Sequence, residues 1–230
     1  MNEIFASSAT IGVVISLLGY YAGVLLKKKF RSALINPLLI AIALTLGFLL
    51  LFKVEYSSYS SSAKYLSWLL TPATVSLAIP LYVEIDRLKK NIKAILISIF
   101  VGCIVSMGSI LVLSMLFGFT HAQYVTFLPK SITTAIGMSV AEELGGLVPV
   151  AVAAIIITGI CGNVIAEGLL KAIHVTDPVA KGLAIGTSSH AIGTSKAMEI
   201  GEVEGAMSSL SIVTAGIITV VGANIFAMFL

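Results

Sequence analysis

Apolar residues in this chain come in unbroken runs rather than in alternation. Residues 4–26 carry no charge, and Lys27, Lys28, Lys29 and Arg31 follow at once. A signal peptide places its positive charge before the apolar run. The reverse order here predicts a retained first helix with its amino end outside. Residues 32–52 are a second uncharged run, followed by a polar, serine-rich loop over 53–64. Residues 65–83 are also uncharged but contain Pro72 and Pro80, and proline inside a helix removes a backbone donor. This run is therefore expected to be a broken helix. A charged loop over 84–93 precedes three further runs, 94–118, 144–166 and 205–230. Each of the six runs approaches or exceeds the roughly 20 residues that cross a bilayer core. The absence of alternation excludes a transmembrane barrel.

Two shorter stretches complete the pattern. Residues 129–140 lead directly into Glu142, Glu143 and a Gly145–Gly146 pair. Residues 182–195 contain three glycines, five hydroxyls and His190. Both are too short and too polar to face lipid along their length. Irregular backbone survives at membrane depth only when packed in protein or lining a water-filled cavity. The segments 129–142 and 182–196 either cross or re-enter. Re-entry places Lys171, Lys181 and Lys196 inside with the Lys27–Arg31 and Arg87–Lys93 clusters, which the positive-inside rule favours.

Composition narrows the class further. Hydrophobic residues are 58% of the 230 and charged residues 11%. A soluble globule of this size has too little interior for so much apolar side chain. A secreted disulfide scaffold, a nucleic-acid module and a soluble nucleotide-binding or barrel enzyme are excluded. Cys103 and Cys161 both lie in apolar runs without metal-ligand spacing. The expected fold is an all-α polytopic membrane bundle with six full spans plus two short broken or re-entrant segments. It forms a single integral membrane domain over residues 1–230.

An internal repeat is also legible. Shifting the sequence by 57 residues superimposes 72–83 on 129–140, with identities at Pro72/Pro129, Ala78/Ala135, Ile79/Ile136 and Val83/Val140. A long apolar helix follows each copy, so the repeat units are 65–118 and 125–170. Paired broken helices of this kind mark the binding site in secondary transporters.

Lys130 is the sharpest single residue. It follows Pro129 at the mouth of a short segment that also holds Ser131, Thr133 and Thr134. A buried cation at a helix start can hold a small carboxylate. The competing reading is a lysine snorkelling to the headgroups. In the first copy, Thr74 and Ser76 occupy the corresponding hydroxyl positions.

The run Gly186-Thr187-Ser188-Ser189-His190-Ala191-Ile192-Gly193-Thr194-Ser195 repeats a Gly-Thr-Ser triplet after seven residues. In a continuous helix Gly186, His190, Gly193 and Thr194 share one face. Small residues there permit close helix approach, and an intramembrane histidine marks a pathway or proton relay. His190 and Glu142 are accordingly the candidates for proton coupling. Thr187, Ser188, His190 and Thr194 join the candidate substrate contacts. Pro72, Pro80, Pro129, Gly186 and Gly193 are the expected break and close-approach positions. Asn163 is expected to bond across helices, and Asp177-Pro178 to start one. No nucleophile–base pair, phosphate loop or zinc pattern occurs, so neither an enzyme nor a cofactor is expected.

The motifs Asn36-Pro37-Leu38-Leu39, TPATVSLAIPLY over 71–82, LPKSITTA over 128–135, GLAIGTSSHAIGT over 182–194 and EGAMSSL over 204–210 occur ungapped and in this order. In these the chain resembles the LrgB/CidB family of bacterial membrane proteins. The resemblance implies a multi-pass protein of the bacterial cytoplasmic membrane. It implies antiholin-like or holin-like control of murein hydrolases and autolysis, together with a small LrgA/CidA-type membrane partner. The similar domain of the plant plastidic glycolate/glycerate translocator, and an association of bacterial relatives with pyruvate uptake, imply a small carboxylate as substrate. The leading expectation is thus a proton-linked carrier of a small monocarboxylate or 2-hydroxycarboxylate (pyruvate, lactate, glycolate or glycerate). Its partners would be the bilayer, the acid and the small membrane protein; a homo-oligomer is compatible with it, and nucleic acid is not expected. The alternative is an antiholin-like regulator of murein hydrolase export and lysis.

Overall fold

The structure, a computed structural model, describes residue 8 and residues 10–30, 36–76 and 78–230; the side chains of Leu70, Thr71, Thr74, Pro80, Leu81 and Arg87 lie outside that description. The regular structure among the described residues is helical. The chain falls into two compact units, Met1–Ser76 and Leu77–Leu230.

The first unit contains α1 (Ile11–Phe30), α2 (Pro37–Leu51), α3 (Tyr56–Trp68) and α4 (Leu70–Ser76). Lys27, Lys28 and Lys29 close the last turn of α1, where cations complement the helix dipole. Asn36 caps α2 through its side-chain oxygen, which accepts from Leu38 N at 2.8 Å, and Pro37 occupies the first turn. Helix α1 approaches α2 closely at Gly23, where a Cβ would stand 2.7 Å from Pro37 Cα. The expected polar loop over 53–64 is largely helix α3. Its serines turn their hydroxyls onto the helix itself (Ser62 Oγ donates to Tyr59 O at 2.9 Å), and Tyr59 OH meets Ser16 Oγ of α1 at 2.8 Å. Hydroxyls satisfied this way let a serine-rich segment stay helical.

The second unit holds α5 (Ala78–Val83), α6 (Ile85–Phe117), α7 (His121–Phe127), α8 (Thr134–Glu143), α9 (Val148–Ala172), α10 (Pro178–Ile200) and α11 (Glu202–Phe226), which ends in a 3₁₀ turn. The expected charged loop over 84–93 is instead the first turns of α6, with Asp86 near its amino end. Gly118 closes α6 in the left-handed conformation at φ 65°. Thr120 and Gln123 then start α7 through a reciprocal capping box. Asp177 and Pro178 start α10 as the sequence predicts, with Asp177 Oδ1 accepting from Ala180 N at 2.8 Å.

Four helical segments among the described residues are long and apolar enough to cross a membrane: Ile11–Phe30, Leu88–Phe117, Val148–Ala172 and Glu202–Phe229. The expected count of six is therefore not reproduced. Helix α2 has 15 residues, about 22 Å at 1.5 Å per residue and short of a core of about 30 Å. The run over 65–83 is divided among α3, α4 and α5 rather than forming one span. The two repeat copies also differ locally. Pro72 sits inside α4, whereas Pro129 lies in a turn before α8.

The second unit buries many polar side chains within an apolar core and exposes large apolar ones. Ser114, Thr126, Ser131, Thr187, Ser189, His190, Thr194, Ser208 and Ser211 are buried, while Ile97, Val112, Leu116 and Ile217 are exposed. Leu116 exposes 74% of its surface and Thr194 none. Water would not tolerate this arrangement over such an area, but lipid does. Every buried side-chain nitrogen or oxygen among the described residues has a hydrogen-bond partner.

Helices α10 and α11 touch backbone to backbone. A Cβ at Gly182 would lie 2.8 Å from Met207 Cβ, and one at Gly186 would lie 2.8 Å from Ser208 Cα. Small residues four apart permit this approach. Helix α10 is broken at His190, whose φ of 42° and ψ of −140° interrupt the helix. Such a conformation costs about 1–3 kcal/mol in a non-glycine residue. The break thus falls between Gly186 and Gly193, not at either of them. Beyond it, the second half of α10 is fastened to α9. Asn163 Nδ2 donates to Ile192 O at 2.7 Å and to Ser195 Oγ at 3.0 Å, and Lys196 Nζ pairs with Glu167 at 2.9 Å. Asn163→Leu is expected to destabilise the second unit by about 1 kcal/mol, measured as a lower melting temperature in detergent. An unchanged melting temperature would mean that this tether contributes nothing.

Candidate functional site

A cavity of about 430 Å³ lies within the second unit. Three elements line it. Helix α6 contributes Ser98, Gly102, Val105 and Ser106; the turn between α7 and α8 contributes Lys130 and Ser131; and the first half of α10 contributes Ala180, Leu183, Ala184, Thr187 and Ser188. Gly102 falls at the centre of the apolar run Leu88–Phe117. Where that run spans the bilayer, the cavity lies near the midplane.

The turn presents its polar groups because its own backbone is tied off. Lys130 N donates to Phe127 O at 3.1 Å and Ile132 N to Pro129 O at 3.3 Å. Lys130 Nζ donates to Ser131 Oγ at 3.0 Å and to Ser106 Oγ at 3.5 Å, and the two serine hydroxyls lie 3.1 Å apart. Lys130 is half-buried and Ser131 buried. Among the described residues no carboxylate is within ion-pair distance of Lys130. This is an amine turned onto α6, not one snorkelling to the headgroups.

The proton count of this cluster is informative. In the charged form that meets an anion, Nζ has three donors and no acceptor. Two of the three point at Ser131 and Ser106. Both serine oxygens accept from it, so one hydroxyl hydrogen serves the serine–serine bond and the other is left over. One N–H and one O–H therefore remain for a ligand, which matches the two oxygens of one carboxylate.

The α10 wall has the opposite character. Thr187 Oγ1 donates to Leu183 O. Ser188 Oγ donates to the carbonyl of Ala184 at 2.8 Å and lies 3.0 Å from Ser189 Oγ. With their hydrogens engaged, these oxygens keep lone pairs that can accept from a ligand hydroxyl. Close to them, α6 and α10 nearly touch: a Cβ at Gly102 would stand 2.8 Å from Thr187 Cγ2.

Of the residues singled out in the sequence, the structure brings Lys130, Ser131, Thr187 and Ser188 together. Thr133 and Thr134 begin α8 half-buried and do not line the cavity. Thr194 is buried against α11, where its hydroxyl meets Ser208 Oγ at 2.7 Å. His190 is 2% exposed, and its Nε2 donates to Ile155 O of α9 at 3.0 Å, with the ring lying over Gly159. The expected single face of Gly186, His190, Gly193 and Thr194 does not form. The left-handed φ at His190 turns its ring toward α9, while Gly186 and Thr194 face α11. Glu142 is exposed near the end of α8, away from the cavity lining. Ser76, in the first unit, is exposed and donates to Ala73 O at 2.6 Å. The Thr74 side chain falls outside the described ones.

Ser98, Gly102 and Ser106 were missed because α6 reads as a uniform apolar span. Their spacing of four was the available signal, since such positions stack on one helix face.

Four helices long and apolar enough to cross a bilayer, with large apolar side chains on their exposed faces, define a multi-pass membrane protein. The LrgB-like family model matches residues 16–229. The chain belongs to that family. It is 36% identical over 220 residues to the antiholin-like protein LrgB of Bacillus mycoides, covering 95% of this chain and 96% of that one. The antiholin-like LrgB proteins of Bacillus cereus and Bacillus anthracis match with the same identity and coverage. No solved structure matches the chain.

Proposed function

We propose that this LrgB-family protein is a secondary carrier of a small monocarboxylate or 2-hydroxycarboxylate in the bacterial cytoplasmic membrane. The observation that carries the reading is the lysine–serine cluster of Lys130, Ser131 and Ser106 facing a cavity beside Gly102. The carboxylate sits on Lys130 and the remaining serine hydroxyl. A ligand hydroxyl reaches the α10 wall, where Thr187 and Ser188 accept from it. The carboxylate of pyruvate, lactate, glycolate or glycerate fits the lysine–serine donors, the hydroxyl of the last three also fits the α10 acceptors, and transport is proton-linked.

A second reading rests on the name the relatives carry. Antiholin-like proteins of 36% identity, together with the role that the LrgB/CidB resemblance implies, speak for a regulator of murein hydrolase export and lysis that acts with a small membrane partner. The name favours this regulator over the carrier; the cavity and its cation favour the carrier. Uptake of labelled pyruvate, lactate, glycolate and glycerate into liposomes holding the purified protein, with trapped dye as a leak control, separates them. Saturable uptake driven by a pH gradient without leakage is the expected result. Dye leakage, or silence until a small partner is added, would favour the regulator.

The Gly102–Thr187 contact supplies a further check. Gly102→Ala places a Cβ 2.8 Å from Thr187 Cγ2, which narrows the cavity. Uptake is expected to fall about tenfold, a loss of about 1.4 kcal/mol. Adding Thr187→Ser removes the offending methyl and leaves the Thr187 Cβ position at 3.5 Å, an ordinary contact. The double variant should recover most of the activity; a double variant as poor as Gly102→Ala would show that the contact does not limit transport.

A further inference from the structure

We infer that Lys130 itself carries the coupling proton, being neutral in the empty cavity and charged only when a carboxylate is bound. The inference rests on the carrier reading and replaces His190 and Glu142 in the coupling role. Among the described lining residues, Lys130 is the single titratable one. The groups on neighbouring elements are engaged elsewhere or lie outside the lining. On α6, the Cys103 thiol points to Ala215 O of α11. On α7, Tyr124 OH donates to Phe226 O at 2.8 Å. On α10, Lys181 faces Glu204 of α11 at 3.9 Å, and His190 is held by Ile155 O of α9 at 3.0 Å. Glu142 and Glu143, near the end of α8, are exposed and do not line the cavity.

The chemistry follows from what surrounds the amine. Its described partners are two neutral hydroxyls at 3.0 and 3.5 Å, with no counter-charge. A lone cation near the bilayer midplane is costly, and pairing with an anion removes much of that cost. The neutral amine is satisfied by the same neighbours, because its lone pair accepts the Ser131 hydroxyl hydrogen that the ammonium leaves free. When the acid enters, the proton moves to Nζ and the carboxylate remains beside it. The empty cavity is then uncharged, and the loaded cavity holds one ion pair of net charge zero. Both states that must change sides carry no net charge, and each carboxylate moves with one proton.

Lys130→Arg tests this. A guanidinium keeps the positive charge and the donors but does not deprotonate in proteins. Full-length wild-type and variant proteins are placed in liposomes with labelled pyruvate and glycolate as probes. Wild type should both exchange internal for external acid and accumulate it under an imposed pH gradient. The variant should fail to accumulate acid under the gradient, whatever rate of exchange it keeps. A variant that accumulates acid under the gradient as wild type does would overturn the inference. Should the variant do neither, calorimetry decides: wild type titrated with pyruvate in two buffers of different ionisation heat should take up about one proton per acid bound. No proton uptake would overturn the inference even if wild-type transport is robust. A wild type that neither exchanges nor accumulates removes the carrier reading, and the inference with it.

Discussion

Lys130→Ala is expected to abolish saturable uptake of small monocarboxylates while the protein still reaches the membrane as a folded species. Among the described lining residues Nζ is the one group that can carry positive charge, and the hydrogen bond between Ser106 and Ser131 at 3.1 Å does not depend on it. Losing a charge-assisted contact to the carboxylate costs about 3 kcal/mol, or about 150-fold in affinity. Liposome uptake gives the activity, and size-exclusion chromatography in detergent gives the fold. Transport at the wild-type rate would remove Lys130 from the site. The antiholin-like reading predicts a different pattern, in which Lys130→Ala leaves lysis behaviour unchanged because helix packing is intact.

The largest structural effect is expected at Gly186. Valine there puts a side chain where a Cβ alone would already stand 2.7 Å from Ser211 Cβ and 2.8 Å from Ser208 Cα. The obstacle includes the backbone of α11, which cannot rotate away as a flexible side chain can. The first half of α10 would be pushed off α11, and with it the wall carrying Thr187 and Ser188. Gly186→Val should therefore yield little monodisperse protein. Gly168→Ala is the matched control, because nothing lies within 4 Å of a Cβ at that position. Alanine in a helix is favoured over glycine by about 1 kcal/mol, so this variant should melt slightly higher. Equal behaviour of the two variants would show that close approach at Gly186 is not required for folding.

Much of this architecture was legible because lipid imposes a simple rule on sequence. Uncharged runs marked the helices Ile11–Phe30, Leu88–Phe117, Val148–Ala172 and Glu202–Phe229, and Asp177-Pro178 marked the start of α10. Asn163 was correctly expected to bond across helices. The charged stretch 84–93 and the serine-rich stretch 53–64 were misjudged as loops. Neither polarity nor charge prevents a helix when hydroxyls bond back to the chain or when the helix runs on from its span. Of the cavity lining, Lys130 and Ser131 were legible, because a lysine in a short apolar segment stands out. His190 misled for a specific reason. Its place in a helical heptad suggested a common face, but one left-handed residue redirects everything after it, and no local pattern marks the position. Serines on α6 were hidden by the hydrophobicity of their neighbours.

In the proposed carrier, the lysine–serine cluster also bears on which solutes are turned away. One ammonium neutralises one carboxylate. A dicarboxylate such as succinate would bring a second negative charge into a lining whose remaining members are hydroxyl, methyl and methylene groups. No second cation waits for it among the described lining residues, and near the bilayer midplane no bulk water replaces one. Selection between mono- and diacids then needs no steric barrier and no dedicated filter: the cavity rejects by what it leaves uncompensated.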